Sequence, residues 1–431
     1  MNEALIRRIA TWVLVAGAVV IVGGLGFALW QSFSDGARPD TRDLELARVA
    51  LPAGENGFVV LESVVPMVKW DGDLHMYSWS ILRKWDQGKV DVLLAQNEKA
   101  LELLDKALGM PGFQFPDVKS VPQWNYLTAF QNLARTRAYS SINHWNRKDA
   151  HMAFEESFQG MEFARRIENG GGVSVHFVVG VSLEALALNT IVRFVPEASA
   201  AHREELRAVL SRLEPFEDHA ASFCNGLKTE FASWNRSVDD VVARKIRVWD
   251  LLDSGGYGFK PPPVPDFLFQ PNTTRTMLAE TTRQILREAP LNYGKTSREP
   301  GQLEKLDKMS GSELVLSQNV IGRVIYKSTA GQMLYTAVKR YRITTMFATT
   351  RALIAVRLYW LDHGKLPATL DDLVPTYLKS VPLDAFDGKP LRYSPVNKVI
   401  YSVGRDLTDR GGDSAEGNPD GDRQPTVKIG W

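Results

Sequence analysis

The chain has 431 residues, with 51 Lys and Arg against 50 Asp and Glu, a single cysteine and 44% hydrophobic residues. So balanced a charge excludes a broad electrostatic footprint for nucleic acid, and no nucleic-acid partner is expected. The lone cysteine, Cys224, excludes an internal disulfide, so stability has to come from buried apolar surface or a bound metal. Cys224 sits in the apolar stretch AASFCNGL with no nearby His, and the role expected there is a small buried side chain.

From Ile9 to Trp30 the chain carries no charge, and these 22 residues are a candidate membrane helix. At about 1.5 Å per residue they reach about 33 Å, enough for a hydrocarbon core of roughly 30 Å. Trp12 and Trp30 lie near the two ends, where amphipathic rings favour the interface, and Arg7 and Arg8 precede the run on the side that stays cytoplasmic. A cleaved secretory signal is the alternative, but the apolar run exceeds the usual signal core. The expectation is a retained single-pass anchor with a cytoplasmic N-terminus and the bulk of the chain outside. No other stretch reads as long and apolar enough to span.

Helical periodicity dominates the next two hundred residues. Val90, Leu93, Leu94, Asn97, Leu101, Leu104 and Leu108 fall at spacings of three and four and end at GMPGFQFP. Leu127 to Trp145 and Ala153 to Ile167 mark two more helices, and the short break between them makes an antiparallel pair. The third helix stops at ENGGG. His176 to Val195 then forms an apolar helix, followed by Arg203 to Leu213 and Asp218 to Leu252. The hairpin around Ala138 and Ala153 resembles tetratricopeptide-type units, although the helix starts keep no fixed period. An irregular bundle or solenoid is expected, serving as a concave protein-binding surface or a spacer.

The Pro-rich GFKPPPVPDFLFQP breaks this region, and Thr273 to Arg287 and Ser312 to Ser328 resume helix. A long helix then carries Ile343, Met346, Phe347, Leu353, Leu358 and Leu361 on one face and stops at Gly364 and Pro367. Thr369 with Asp372 can cap a short helix. Leu391 to Ser394 and Val399 to Val403, joined by PVNK, read as a β-hairpin. The fold class is therefore mainly α with a C-terminal α+β module. Its divisions are 1–33, cytoplasmic N-terminus and anchor; 43–255, exterior helical domain; 256–335, Pro-rich linker and additional helices; and 336–431, the C-terminal module.

Three ordered motifs in that module, ALIAVRLYWLDHGKLPATLDDLV, YLKSVPLDAFDGKPLRYS and VIYSVGRDLTDRGGD, resemble the major pseudopilin family of bacterial type II secretion. The match covers Tyr341 to Asp413, under a quarter of the chain. It implies a bacterial inner-membrane protein with its bulk in the periplasm. It also implies a calcium site with Asp406 and Asp413 as side-chain donors and backbone carbonyls from Ser402 to Asp409. Calcium suits six to eight oxygens on a flexible loop. Leu407 stands where the family has glycine, and Arg410 lies between the two aspartates. The N-terminus also lacks the family's basic leader, glycine cleavage point and fifth-position glutamate, and about three hundred residues separate the anchor from a helix that in the family runs unbroken from the membrane, so filament packing of the family's kind is not expected and the module reads as a reused fold.

No nucleophile elbow, zinc-protease motif or phosphate loop is present, and no two of the seven histidines stand at a metal-ligand spacing. Ser174 and His176 are too close along the chain to face each other as nucleophile and base. Asp71, Asp73 and His75, flanked by Trp70 and Trp79, form the best local polar cluster, read as a surface turn with a metal or carbohydrate site as the alternative. The function expected is a non-enzymatic membrane-anchored scaffold or binding protein with unidentified protein partners. The rival is a periplasmic hydrolase whose site lies between the helical domain and the C-terminal module. Titratable residues converging there would favour the rival.

Overall fold

The computed structural model describes residues 3–33, 35–70, 85–117, 125–253, 266–412 and 425–431. The Asp71, Asp73 and His75 cluster, the three prolines at 261–263 and Asp413 lie outside them. Among the described residues thirteen α-helices run in chain order: α1 Glu3–Phe33, α2 Gly57–Val64, α3 Gln87–Leu108, α4 Asn125–Asn146, α5 Ala150–Asn169, α6 Ser174–Glu197, α7 Arg203–Leu213, α8 Ala220–Val242, α9 Asp250–Asp253, α10 Pro271–Glu288, α11 Leu303–Asp307, α12 Gly311–Leu316 and α13 Val320–His363. A small sheet, β1 Arg392–Ser394, β2 Val399–Tyr401 and β3 Thr426–Lys428, closes the chain. The protein is mainly helical, with a three-stranded sheet near its C-terminus.

Two compact units divide these elements. One comprises 1–45, 231–285 and 298–332. Within it, the apolar run of α1 from Trp12 to Trp30 has no buried residue, and only Ala28 is half-buried. The segment after α1 is tied down by charge. Asp35 caps α10 by accepting from the Asn272 and Thr273 amides, Arg38 pairs with Asp239, and Arg283 pairs with Asp43. An anion at a helix start satisfies donors that the helix itself leaves unpaired.

The second unit comprises 46–230, 286–297 and 333–431. Its helical core is built on α4, α5 and α6. Ring contacts pair Phe130 with Phe163 and Trp145 with Phe154, while Ser141 Oγ lies 2.9 Å from Ser157 Oγ. Rising numbers on α4 thus meet falling numbers on α5, the antiparallel arrangement the short connection requires. Lys148 turns the connection at φ 68°, and Asp149 caps α5 by accepting from the Met152 amide. Asn97, the polar residue in the apolar stripe of α3, is buried because it exchanges hydrogen bonds with both the N–H and the carbonyl of Lys69.

Three expectations change. First, α6 also has the length and hydropathy of a membrane span, but 61% of that window is buried inside the protein, where it serves as a core helix. Second, α8 ends at Val242, ten residues earlier than the sequence reading, where Arg244 turns the chain at φ 56°. Third, the helix expected over Ser312 to Ser328 is the short α12 followed by the start of α13, which continues for 44 residues without a break.

Beyond α13 the reading holds closely. Gly364 leaves the helix at φ 68°, a conformation glycine adopts without strain. Asp372 Oδ2 accepts from the amides of Ala368 and Thr369, starting the short 3-10 helix Leu370–Leu373. β1 and β2 pair antiparallel with Tyr393 opposite Ile400. β3, which the periodicity did not reveal, adds to the free edge of β2 with Val427 opposite Ile400.

Candidate functional site

Two polar constellations stand out in the second unit. The first joins two of the sequence motifs. Asp384, from VPLDAFDGKPLRYS, is fully buried, yet it accepts from Phe386 N at 3.0 Å, Ser402 Oγ at 2.8 Å, Val403 N at 2.9 Å and Arg392 Nη1 at 3.1 Å. Burial pushes its carboxyl upward, and the Phe386, Val403 and Ser402 donors pull against that. Arg392 also pairs with Asp387. The turn is thereby riveted to the loop that follows β2, which explains why those two stretches carry such specific residues.

In that loop Asp406 does not stand free. Its Oδ2 lies 2.6 Å from Arg410 Nη2, and its Oδ1 accepts from the Thr408 amide. Any cation there has to displace a guanidinium already in place. Leu407 adopts φ 59°, the left-handed conformation glycine would favour, and its side chain packs with Tyr293, Phe386 and Val403. The loop thus keeps a glycine-like backbone while using the side chain as a core anchor.

The second constellation escaped sequence reading. Arg165 and Glu168 lie three apart on one face of α5, Glu184 lies on α6, and His219 immediately precedes α8. Glu184 Oε2 is 2.5 Å from His219 Nε2, and Glu184 Oε1 is 2.7 Å from Arg165 Nε. Arg165 Nη1 sits 3.7 Å from Glu168 Oε2, which accepts from Ser222 Oγ at 3.3 Å. Glu168, Glu184 and His219 have 0% side-chain exposure and Arg165 13%. Gly180 makes the approach of α5 and α6 possible, since a Cβ there would stand 2.3 Å from Glu168 Cγ.

Hydrogen-bond roles follow from the surroundings. His219 Nδ1 faces the Glu217 carbonyl at 3.0 Å, and a carbonyl only accepts, so Nδ1 carries the proton. Burial lowers the imidazole to about 4 and keeps it neutral. Its Nε2 lone pair therefore faces a carboxylate oxygen of Glu184, with Arg165 Nη2 as a second, longer donor at 3.3 Å, and at 2.5 Å a proton on Glu184 is needed between Nε2 and Oε2. Burial raises Glu184 to about 8, against the pull of Arg165. Glu168 is pushed well above its ordinary range by burial and by the neighbouring Glu184. Thr344 and Phe347 of α13 face His219 from the other side, and Arg340 adds positive charge nearby.

Arg165 donates to the carbonyls of Phe216 and Asp218 and lines a surface pocket of about 420 Å³ with Glu162, Arg166, Asn169, Pro215 and Phe216. It is the one member of the cluster with a side toward solvent. The signal available in sequence was Glu184, alone in the apolar run FVVGVSLEALALNTIV. A buried lone carboxylate demands partners, but spacing cannot say that they come from residues 165, 168 and 219.

The other candidates separate. Ser174 Oγ donates to Glu230 at 3.0 Å, while His176 Nε2 lies 2.7 Å from the Tyr126 hydroxyl, so they do not act as a pair. Cys224 is partly buried, and burial raises its thiol. Compared with protein-family models, curated proteins and solved structures, the chain matches none of them.

Proposed function

We propose that this chain is a single-pass bacterial envelope protein, anchored by α1 with its N-terminus cytoplasmic, whose periplasmic bulk is a non-catalytic helical scaffold ending in a pseudopilin-like module. The observation that carries the reading is a contrast in exposure. The side chains of α1 from Trp12 to Trp30 are exposed apart from the half-buried Ala28, as a bilayer-facing helix requires, while the Glu168, Glu184 and His219 cluster is buried. A substrate has no contact with Glu184 or His219 in this arrangement, which supports a structural role for them.

A second reading, a periplasmic hydrolase, draws on one specific feature. Arg165, Glu168, Glu184 and His219 converge from three helical elements with Thr344 of α13 opposite, the convergence of polar groups that an enzyme needs. Its weakness is burial. Cross-linking in intact cells followed by membrane fractionation separates the two. A scaffold gives an alkali-resistant membrane band that shifts into defined adducts with another polypeptide, and an E184Q variant gives the same adducts. An unshifted band, with ester or glycoside hydrolysis that E184Q abolishes, contradicts the scaffold reading.

A further inference from the structure

We propose that Glu168, Glu184 and His219 form a buried structural site for a first-row divalent cation, with zinc the best fit to its ligands. The three offer one ligand atom each, all within 4.8 Å of one another and all buried. Two features point to an ion beyond mere clustering. Glu168 Oε1 meets no N–H or hydroxyl donor although it is buried, and only the neighbouring Glu184 carboxyl can answer it, by sharing a proton. The unprotonated His219 Nε2 faces Glu184 Oε2 at 2.5 Å because Nδ1 is committed to the Glu217 carbonyl.

Arg165 Nη2 reaches His219 Nε2 only at 3.3 Å and from the side, so each of these close juxtapositions, carboxyl against carboxyl and imidazole lone pair against carboxyl, still needs a proton or a metal ion between acceptors. Two protons can supply it, one in each gap. A single divalent ion supplies it at both gaps at once. Neutral imidazole and two carboxylates are a ligand set that zinc accepts, with His219 Nδ1–H fixed by a backbone carbonyl as metal-bound imidazoles usually are.

Arg165 does not forbid the ion. With both carboxyls protonated, the cluster including Arg165 carries a formal charge of about +1. With both ionised around a divalent ion it carries the same charge, so the exchange of two protons for one ion is electrically even. The side chains need only a small adjustment, since the gap between Nε2 and Oε2 has to widen from 2.5 Å to about 3.3 Å for a tetrahedral ion. Entry runs past Arg165, which borders the surface pocket.

The test uses the purified full chain in detergent, stripped with a chelator, given zinc chloride and dialysed at pH 7. Retention of about one zinc per chain and a raised melting temperature support the site. The variant E168Q keeps the shape and the neutral protonated form, so it should fold, as its own chelated melting curve will report. It should lower zinc affinity at least tenfold. Zinc retained equally by parent and E168Q, or melting unaffected by zinc in the parent, overturns the proposal and leaves the two gaps to protons.

Discussion

Replacing Asp384 with Ala should raise amide exchange at Phe386 and Val403 by about a hundredfold to a thousandfold in the full chain, while the amides of α5 and α6 keep their protection. Asp384 has 0% exposure and answers four donors. Without it the Phe386 and Val403 amides and the Ser402 hydroxyl lose the carboxylate they donate to, and Arg392 loses one of its carboxylates. Removing one partner from a buried charged network costs about 3–5 kcal/mol, and each 1.4 kcal/mol is a factor of ten in opening. Asp384→Asn keeps the shape and one acceptor and should lie between. Exchange unchanged within threefold in Asp384→Ala would mean that the two motifs are not held together by this carboxylate.

The Glu168, Glu184 and His219 cluster gives the second large effect, read in chelated protein. Glu184 has a folded value near 8 against an ordinary 4.5, so the folded state holds its proton more tightly, and the stability this proton supports is lost as pH rises from about 4.5 toward 8. His219 works in the opposite sense. Its folded value near 4 lies below 6.5, so stability is lost as pH falls from about 6.5 toward 4. Glu168, raised like Glu184, adds to the loss on the alkaline side. The cluster is therefore most favourable in weak acid. In the variant E184Q the amide imitates the protonated carboxyl, donating to His219 and accepting from Arg165. Parent and variant should melt alike near pH 4.5, and the variant should gain on the parent by up to about 1.4 kcal/mol per pH unit toward pH 8. If E184Q is equally destabilised at every pH between 5 and 8, Glu184 is ionised throughout and the assignment of its proton is wrong.

What the sequence revealed and what it hid divide along physical lines. Features set by residues a few positions apart were readable: the stop at Gly364, the Thr369 and Asp372 turn, the β1–β2 pairing, and the α4–α5 hairpin across its three-residue break. The continuity of α13 was not, because the polar stretch around Gly331 hides the helix. Ile325, Ala330, Met333 and Val338 carry it there from buried positions, so packing decides where propensity is silent. β3 was missed because, unlike β1 and β2, no short turn joins it to its partner. The buried cluster was missed because its members lie 16 and 35 residues apart, on α5, on α6 and just before α8, and meet only through packing, with Gly180 as the permissive residue. Leu407 and Arg410, noted as departures from the pseudopilin pattern, both do structural work in the loop.

The most direct test of the account is the orientation of the chain on its anchor. An enzyme reporter that is active only outside the cytoplasm, fused after Trp431 of the full chain, should be active in intact cells. The same fusion lacking residues 1–33 should be inactive and recovered in the soluble fraction. Activity confined to a cytoplasmic reporter at the same position, or membrane retention without residues 1–33, would contradict a single N-terminal span with the bulk of the protein outside.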